Sequence, residues 1–140
     1  MNPVTGKKPE TWYKHNETWS SVFGEISSGW EECRAECVAL YLPCYDEIMQ
    51  TLIPNKPEAY KGILDATWFA MVLGGLKGME YFNTETNKWG QAHCRARYCI
   101  YNYLRKNGFV TIDYSELNGK KYFTFDMPNI YTYIYGLSIL

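Results

Sequence analysis

The sequence has very few of the residues and patterns that build a self-contained metal site. Its 140 residues include two histidines, no Cys-x-x-Cys pair and no H-E-x-x-H segment, either in the usual form or with one residue inserted. A cluster of Cys33, Cys37, Cys44 and His93 is conceivable, but no zinc-finger spacing supports it. We therefore expect no complete metal site built from these residues alone.

The sequence also lacks a long apolar run and an excess of either charge. Its longest apolar stretch, 66–76, is well short of the roughly 20 residues that a membrane span needs, and the N-terminus has no apolar signal-peptide core. The formal net charge is −1, which gives no general case for nucleic acid or an anionic membrane as a partner. The five cysteines are an odd number, so a disulfide framework would leave one thiol over, and we expect a reducing, cytoplasmic setting.

Helical periodicity dominates what is present. Residues 1–26 show no sustained period and are predicted to form a loop-like lead-in. Helices are predicted over about 28–42, 44–53, 58–81 and 86–106. The first should begin with a capping box of Ser28 and Glu31, and its apolar stripe should consist of Ala35, Val38, Ala39 and Leu42. The third has glycines suited to a close approach of another helix, namely Gly74, Gly75 and Gly78.

The period changes to two after Asn107-Gly108, which is a typical helix end. Strands are predicted over about 110–115 and 122–125, joined at Asn118-Gly119 by a type I′ turn. The segment 131–140 is apolar and without charge. The predicted fold class is therefore mainly α with a C-terminal β-hairpin.

Three carboxylates lie within about one and a half helical turns, in the hexapeptide 31–36 with the sequence EECRAE. Carboxylates this close repel each other, so a divalent metal or metal-binding histidines are expected to compensate them. The plainer alternative is that they favour the N-terminus of the helix, with Glu31 paired to Arg34. Both interpretations remain open from the residues alone.

A second polar group is predicted on the helix over 86–106. His93 and Arg97 are four residues apart and share a face, which favours an anionic partner such as a substrate carboxylate or an oxyanion. A lone histidine of this kind is more often structural, so that alternative also stays open.

Taken together, these segments resemble the dipeptidyl peptidase III family of zinc exopeptidases. Residues 31–36 match its EECRAE/EECRAD motif, and the resemblance covers about 1–130. Further matching segments occur in the family's order: 2–6, 12–13, 17–19, 38–42, 89–97 and 110–112. The resemblance implies that 1–130 is part of the mostly helical, zinc-binding catalytic lobe of an enzyme that releases N-terminal dipeptides from short peptides.

The family's site residues can be carried over one by one. In the family, two histidines of a HELLGH motif and the second glutamate of EECRAE hold the zinc, and the glutamate within HELLGH acts as general base on the zinc-bound water. The resemblance therefore implies that Glu32 is a zinc ligand. It implies that Glu31 and Glu36 orient the ligand histidines, and that His93 stabilises the transition state.

The resemblance also indicates which further residues and protein segments the activity requires. The resemblance implies that Gln91 and Arg97 contact the peptide substrate. HELLGH does not occur in the sequence, so we expect the chain alone to be inactive and the remainder of the peptidase to be required. Residues 131–140 do not resemble the family and are treated as a separate apolar tail. The alternatives are a non-catalytic helical interaction or regulatory module derived from the family and, more remotely, a self-contained Cys/His metal protein.

Overall fold

The fold is mainly helical and ends in a β-hairpin, as predicted. The computed structural model describes residues 5–7, 14–117 and 120–126. Within them lie five α-helices and two antiparallel strand pairs, in the order α1 (Trp19–Phe23), α2 (Ser27–Tyr41), α3 (Asp46–Leu52), α4 (Tyr60–Lys77), β1 (Phe82–Asn83), β2 (Lys88–Trp89), α5 (Ala92–Lys106), β3 (Thr111–Leu117) and β4 (Lys120–Asp126).

The lead-in before α2 is more ordered than the sequence indicated. Residues 19–23 form α1, and a 3₁₀ turn over 24–26 leads directly into α2. A reciprocal capping box starts α1, because the Thr18 side chain accepts from the Ser21 amide while the Ser21 hydroxyl accepts from the Thr18 amide. The indole of Trp19 donates to the Ser27 carbonyl at 3.1 Å. The prediction of a loop was therefore wrong for residues 19–26.

The start of α2 differs from the predicted capping box of Ser28 and Glu31. The helix begins at Ser27, Ile26 occupies the N-cap position with helical backbone angles, and no side chain caps it. The 3₁₀ turn over 24–26 runs directly into α2. The first amides of α2 therefore need no side-chain acceptor, because carbonyl groups of this turn precede them in helical geometry. Glu31 is consequently not used as a helix cap.

The predicted apolar stripe of α2 does not face the core. Ala35, Val38, Ala39 and Leu42 are all exposed, whereas Leu40 is fully buried and Cys33 and Cys37 pack against the core. The helix thus turns a different face inward from the one its hydrophobicity predicts. An exposed apolar stripe of this kind is typical of a surface that another protein segment covers.

The core lies between α4 and α5. Trp68, Val72 and Leu104 are almost completely buried there. The predicted close approach of the glycines is confirmed, because a Cβ on Gly75 would lie 2.3 Å from the Tyr101 Cβ, and one on Gly78 would lie 2.9 Å from the Cys94 carbonyl oxygen. No helix within the described ranges, α4 included, is both long and apolar enough to cross a membrane.

The last two helices have different boundaries in the structure from those predicted. The predicted helix 58–81 is α4 followed by a 3₁₀ turn over 78–81. The predicted start of α5 near residue 86 was wrong, because β1 and β2 form a short hairpin before it. Its turn is fixed by Asn83, whose side-chain oxygen accepts from the amides of Glu85 and Thr86 at 2.9 Å.

The C-terminal hairpin agrees with the prediction. β3 and β4 pair antiparallel from Thr111 opposite Asp126 to Leu117 opposite Lys120. α5 ends at Lys106 with Asn107 as its C-cap, and Gly108 takes a positive φ of 74°, as the predicted helix end requires. The turn at Asn118-Gly119 and the tail 131–140 lie outside the described residues.

Candidate active site

The candidate site is formed where α2 and α5 bring two pairs of side chains together. The imidazole Nδ1 of His93 lies 3.1 Å from Oε2 of Glu32 and 3.7 Å from Oε1 of Glu36. The same Glu36 oxygen accepts a hydrogen bond from the Nε of Arg97 at 2.6 Å. The four side chains therefore form one continuous polar contact in the order Glu32, His93, Glu36, Arg97.

Helical spacing explains this arrangement. Glu32 and Glu36 are one turn apart on α2, and His93 and Arg97 are one turn apart on α5. His93 also lies in the first turn of α5, where the helix dipole favours the approach of negative charge. Each carboxylate thus meets a nitrogen base or cation of the facing helix.

Helix α4 forms the third side of this contact. An ideal Cβ placed on Gly74 would lie 3.3 Å from Cδ of Arg97 and 3.7 Å from its Nη1. The arginine stem therefore runs across α4 at a residue that has no side chain. The Glu36 side chain is only 13% exposed, whereas that of Arg97 is 44% exposed, so the pair lies at the boundary between core and solvent.

Glu31 occupies a different position from the other two carboxylates. Its Oε2 accepts from Nε of Arg34 at 3.1 Å, and both side chains are exposed. The hydrogen bond from Arg34 lowers the pKa of the Glu31 carboxyl. The local pairing that the sequence left open is therefore present, and Glu31 contacts neither His93 nor Arg97.

Gln91 immediately precedes α5 at its N-cap position. Its side-chain oxygen accepts from the Cys94 thiol at 2.7 Å, and the residue is exposed. It is thus close in sequence to His93, but no described hydrogen bond joins it to the other candidate residues.

The thiols lie outside the polar contact. All five cysteines fall within the described ranges and are free. A hydrogen bond with Cys37 and burial raise the pKa of Cys33, so its thiol stays protonated at neutral pH. In the described part of the chain, no group of three or more His, Cys, Asp or Glu side chains is arranged to hold a metal ion.

The sequence indicated two separate polar groups, the carboxylates of the hexapeptide and the pair on the last helix. The structure brings four of their side chains together, namely Glu32, Glu36, His93 and Arg97. The sequence did not predict that Arg97 would pair with Glu36, because the resemblance assigned that arginine to substrate. The signal was present as two i, i+4 pairs, the carboxylates Glu32 and Glu36 on α2 and the nitrogen-bearing side chains His93 and Arg97 on α5. Their contact depends on how α2 crosses α5.

Comparison with known proteins defines first the class and then the family. The matches are to peptidases, which are enzymes that hydrolyse peptide bonds. A sequence model described as "Peptidase family M49" matches residues 1–135, and the chain belongs to this family. The membership predicted from the hexapeptide 31–36 is therefore confirmed.

Several curated relatives are named "Dipeptidyl peptidase 3". One from Nematostella vectensis is 40% identical over 119 residues, covering 85% of this chain and 16% of the relative. The Homo sapiens relative is 38% identical over 114 residues, covering 80% and 15%. One from Dictyostelium discoideum is 36% identical over 120 residues, covering 81% and 17%. The chain thus spans about one sixth of the length of these relatives.

Proposed function

We propose that this chain is part of the zinc-binding catalytic lobe of a dipeptidyl-peptidase, an enzyme that releases N-terminal dipeptides from short peptides. The observation that carries the proposal is the contact of Glu32 and Glu36 with His93 across two helices. Family membership and the names of the relatives support peptidase chemistry. The zinc, the dipeptide specificity and the residue roles are our inference.

The donor set fits one ligand position of a zinc site. Zinc in proteins accepts carboxylate oxygen together with imidazole nitrogen and needs three or four ligands. The Glu32 side chain is 30% exposed, so it can be approached from outside this chain, and its only described polar contact is His93. We therefore assign Glu32 as the ligand supplied here, with the histidine ligands supplied by the remainder of the peptidase.

The other residues would position this ligand and the substrate. Glu36 is held by Arg97 on one side and faces His93 on the other, so its carboxylate is suited to orient an incoming imidazole. Glu31, being exposed and paired with Arg34, would need to rotate away from that arginine to do the same. This geometric difference makes Glu36 the stronger of the two supporting residues.

His93 and Arg97 would act on the peptide. A zinc ion bound at this place would supply Lewis-acid polarisation of the scissile carbonyl. With Nδ1 of His93 directed at Glu32, its Nε2 would donate a hydrogen bond to the oxyanion of the transition state in the doubly protonated form of the ring, in which both nitrogens are donors. Arg97 and the exposed Gln91 would contact the substrate, Arg97 by exchanging part of its bond to Glu36 for a peptide carboxylate or carbonyl.

An exposed apolar surface supports the need for further protein. Trp30 is 53% exposed, Val38 41% and Leu42 40%, and all three belong to α2 or directly follow it. We propose that the remainder of the peptidase covers this surface while adding its metal ligands. The rival proposal, a non-catalytic interaction module derived from the family, would use the same surface for a different protein partner.

A chimera separates these proposals. The matched segment of the Nematostella vectensis relative is replaced by this chain, and hydrolysis of a dipeptidyl-naphthylamide is measured with zinc present. We expect activity, reduced about 100-fold or more by Glu32→Gln and about 10- to 100-fold by Glu36→Gln, the range for removing a partner of a metal ligand. Glu47→Gln, on the exposed first turn of α3, is the matched control and should change activity less than about 2-fold.

The outcomes are distinct. A folded, zinc-loaded but inactive chimera would favour the interaction module, whereas equal activity of the Glu32→Gln and Glu47→Gln variants would refute the ligand assignment. The chain alone, incubated with the same substrate and zinc, should show no turnover. Clear turnover that depends on Glu32 would refute that part of the proposal.

For location, we propose the cytoplasm, since five free thiols are typical of a reducing compartment. Imaging of a fluorescent fusion in cells of the source organism would test this. Accumulation of the fusion within secretory compartments would contradict it.

A further inference from the structure

A cavity lies along the C-terminal half of α5. It has a volume of about 570 Å³ and is bounded by the end of α4, by α5 and by the start of β3. None of the residues assigned above to metal or substrate lines it. Its size falls within the range typical of small-ligand pockets, roughly 300–1,000 Å³.

One wall of the cavity carries polar groups that other described residues do not use. Tyr98, Tyr101, Asn102 and Arg105 lie along one face of α5 and line the cavity. Tyr101 as a residue is only 5% exposed, and its hydroxyl, which has no hydrogen-bond partner among the described residues, reaches the solvent, since Nε1 of Trp68 is the one fully buried side-chain atom without a partner there. The amide of Asn102 and the guanidinium of Arg105 likewise have no hydrogen-bond partner among the described residues. Hydroxyl, amide and guanidinium groups are all donors, so several donors border one open pocket.

Tyr101 and Arg105 are one turn apart on α5. Burial raises the pKa of Tyr101, and the positive charge of Arg105 acts against this rise, as expected when the guanidinium lies near the phenol. A neutral phenol donates its proton to a bound anion, and the neighbouring arginine supplies the opposite charge. The pair is suited to a ligand with one negative charge.

The remaining walls are apolar except for Thr111 of β3. Leu76 and Met79 contribute from the α4 side and Ile112 from β3. The ring of Tyr98 connects this wall to Trp89 of the β1–β2 hairpin, with centroids 5.3 Å apart. A ligand that fills the cavity therefore needs an apolar part as well as an anionic group.

The position of Arg105 distinguishes between classes of anion. It lies in the last turn of α5, where the exposed carbonyls create a negative potential. One guanidinium in that setting compensates a monoanion, whereas a phosphate dianion would retain unbalanced charge. The planar guanidinium also matches the two oxygens of a carboxylate.

We propose that this cavity is a binding site for a carboxylate joined to an apolar group, such as an N-acylated leucine or the C-terminus of a peptide ending in leucine. The carboxylate is bound by Arg105, Tyr101 and Asn102, and the apolar group packs against Leu76 and Met79. This site is independent of the proposed peptidase function, because it shares no residue with Glu32, His93 or their partners.

The test is a titration of the ¹⁵N-labelled full chain, followed by NMR through the side-chain amide of Asn102. N-acetyl-leucine is the first probe and a tetrapeptide ending in leucine the second, which distinguishes a free small molecule from a peptide terminus. Each is compared with its C-terminal amide, which has the same shape without the charge. We expect saturable shifts with at least one carboxylate and binding about 10-fold weaker for its amide.

Variants assign the contacts. Arg105→Gln should weaken binding of the carboxylate about 10-fold, and Tyr101→Phe about 3-fold, because it removes a single hydroxyl donor. Lys106→Gln is the matched control, a neighbouring cation on the same turn that does not line the cavity, and should stay within about 2-fold. Amide spectra of the unliganded variants verify the fold, and Tyr101→Phe provides the assignment where Arg105→Gln fails this check.

Two results would overturn the proposal. One is the absence of saturable shifts at Asn102 with either carboxylate at concentrations up to about 20 mM. A weak specific site is expected to have a millimolar dissociation constant and would be saturated in that range. The other is equal weakening by Arg105→Gln and Lys106→Gln, which would mean that only the general charge of the helix end attracts the anion.

Discussion

Replacing Gly75 by alanine should destabilise the chain although alanine is the better helix former. The added Cβ would lie 2.3 Å from the Cβ of Tyr101 and 2.7 Å from the carbonyl oxygen of Arg97. Carbon atoms normally approach to about 3.5 Å, so α5 must retreat by about 1 Å. The obstructing atoms are backbone and Cβ, which cannot rotate away. Overpacking should therefore cost about 3 kcal/mol, the upper end of its usual range.

The helix propensity of alanine offsets about 1 kcal/mol of this cost, so the net loss should be about 2 kcal/mol. Urea unfolding followed by circular dichroism measures this change. Gly62→Ala is the matched control, since it lies on the same helix with nothing within 4 Å of an added Cβ, and it should stabilise by about 0.5–1 kcal/mol. Equal effects of the two substitutions would contradict the described packing of α4 on α5.

Two further predictions concern the contact between the helices and the core. A double-mutant cycle of Glu36→Gln and Arg97→Met should give a coupling of about 1 kcal/mol in unfolding experiments, against less than about 0.5 kcal/mol for the exposed pair of Lys61 and Asp65. No coupling between Glu36 and Arg97 would contradict the described hydrogen bond. Leu104→Ala should lower the free energy of unfolding by about 3 kcal/mol, because Leu104 is 1% exposed and a cavity would remain. A loss below about 1 kcal/mol would contradict the burial of Leu104 in the core between α4 and α5.

The sequence predicted those features that depend on local spacing. Glu32 and Glu36 are one turn apart wherever α2 lies, and so are His93 and Arg97. The glycines of α4 predicted the close helix contact because only a residue without a side chain permits it. The motif 31–36 predicted the family, which the comparison confirmed.

The features that local spacing missed depend on tertiary contacts. The exposure of Val38 on α2 and of Leu42 directly after it could not be predicted, because an apolar stripe indicates burial without saying which protein segment provides it. The capping box at Ser28 failed because α1 and its 3₁₀ turn already coil the chain there. The pairing of Arg97 with Glu36 required the crossing of α2 and α5.

Zinc content of the chimera with the Nematostella vectensis relative tests the central claim most directly, namely that Glu32 is one ligand of a metal site completed from outside this chain. Metal analysis after dialysis should find about one zinc per molecule, a clear loss with Glu32→Gln and no loss with Glu47→Gln. The chain alone should retain no zinc under the same conditions. Full zinc content in the Glu32→Gln chimera, or a full equivalent in the isolated chain, would contradict the account.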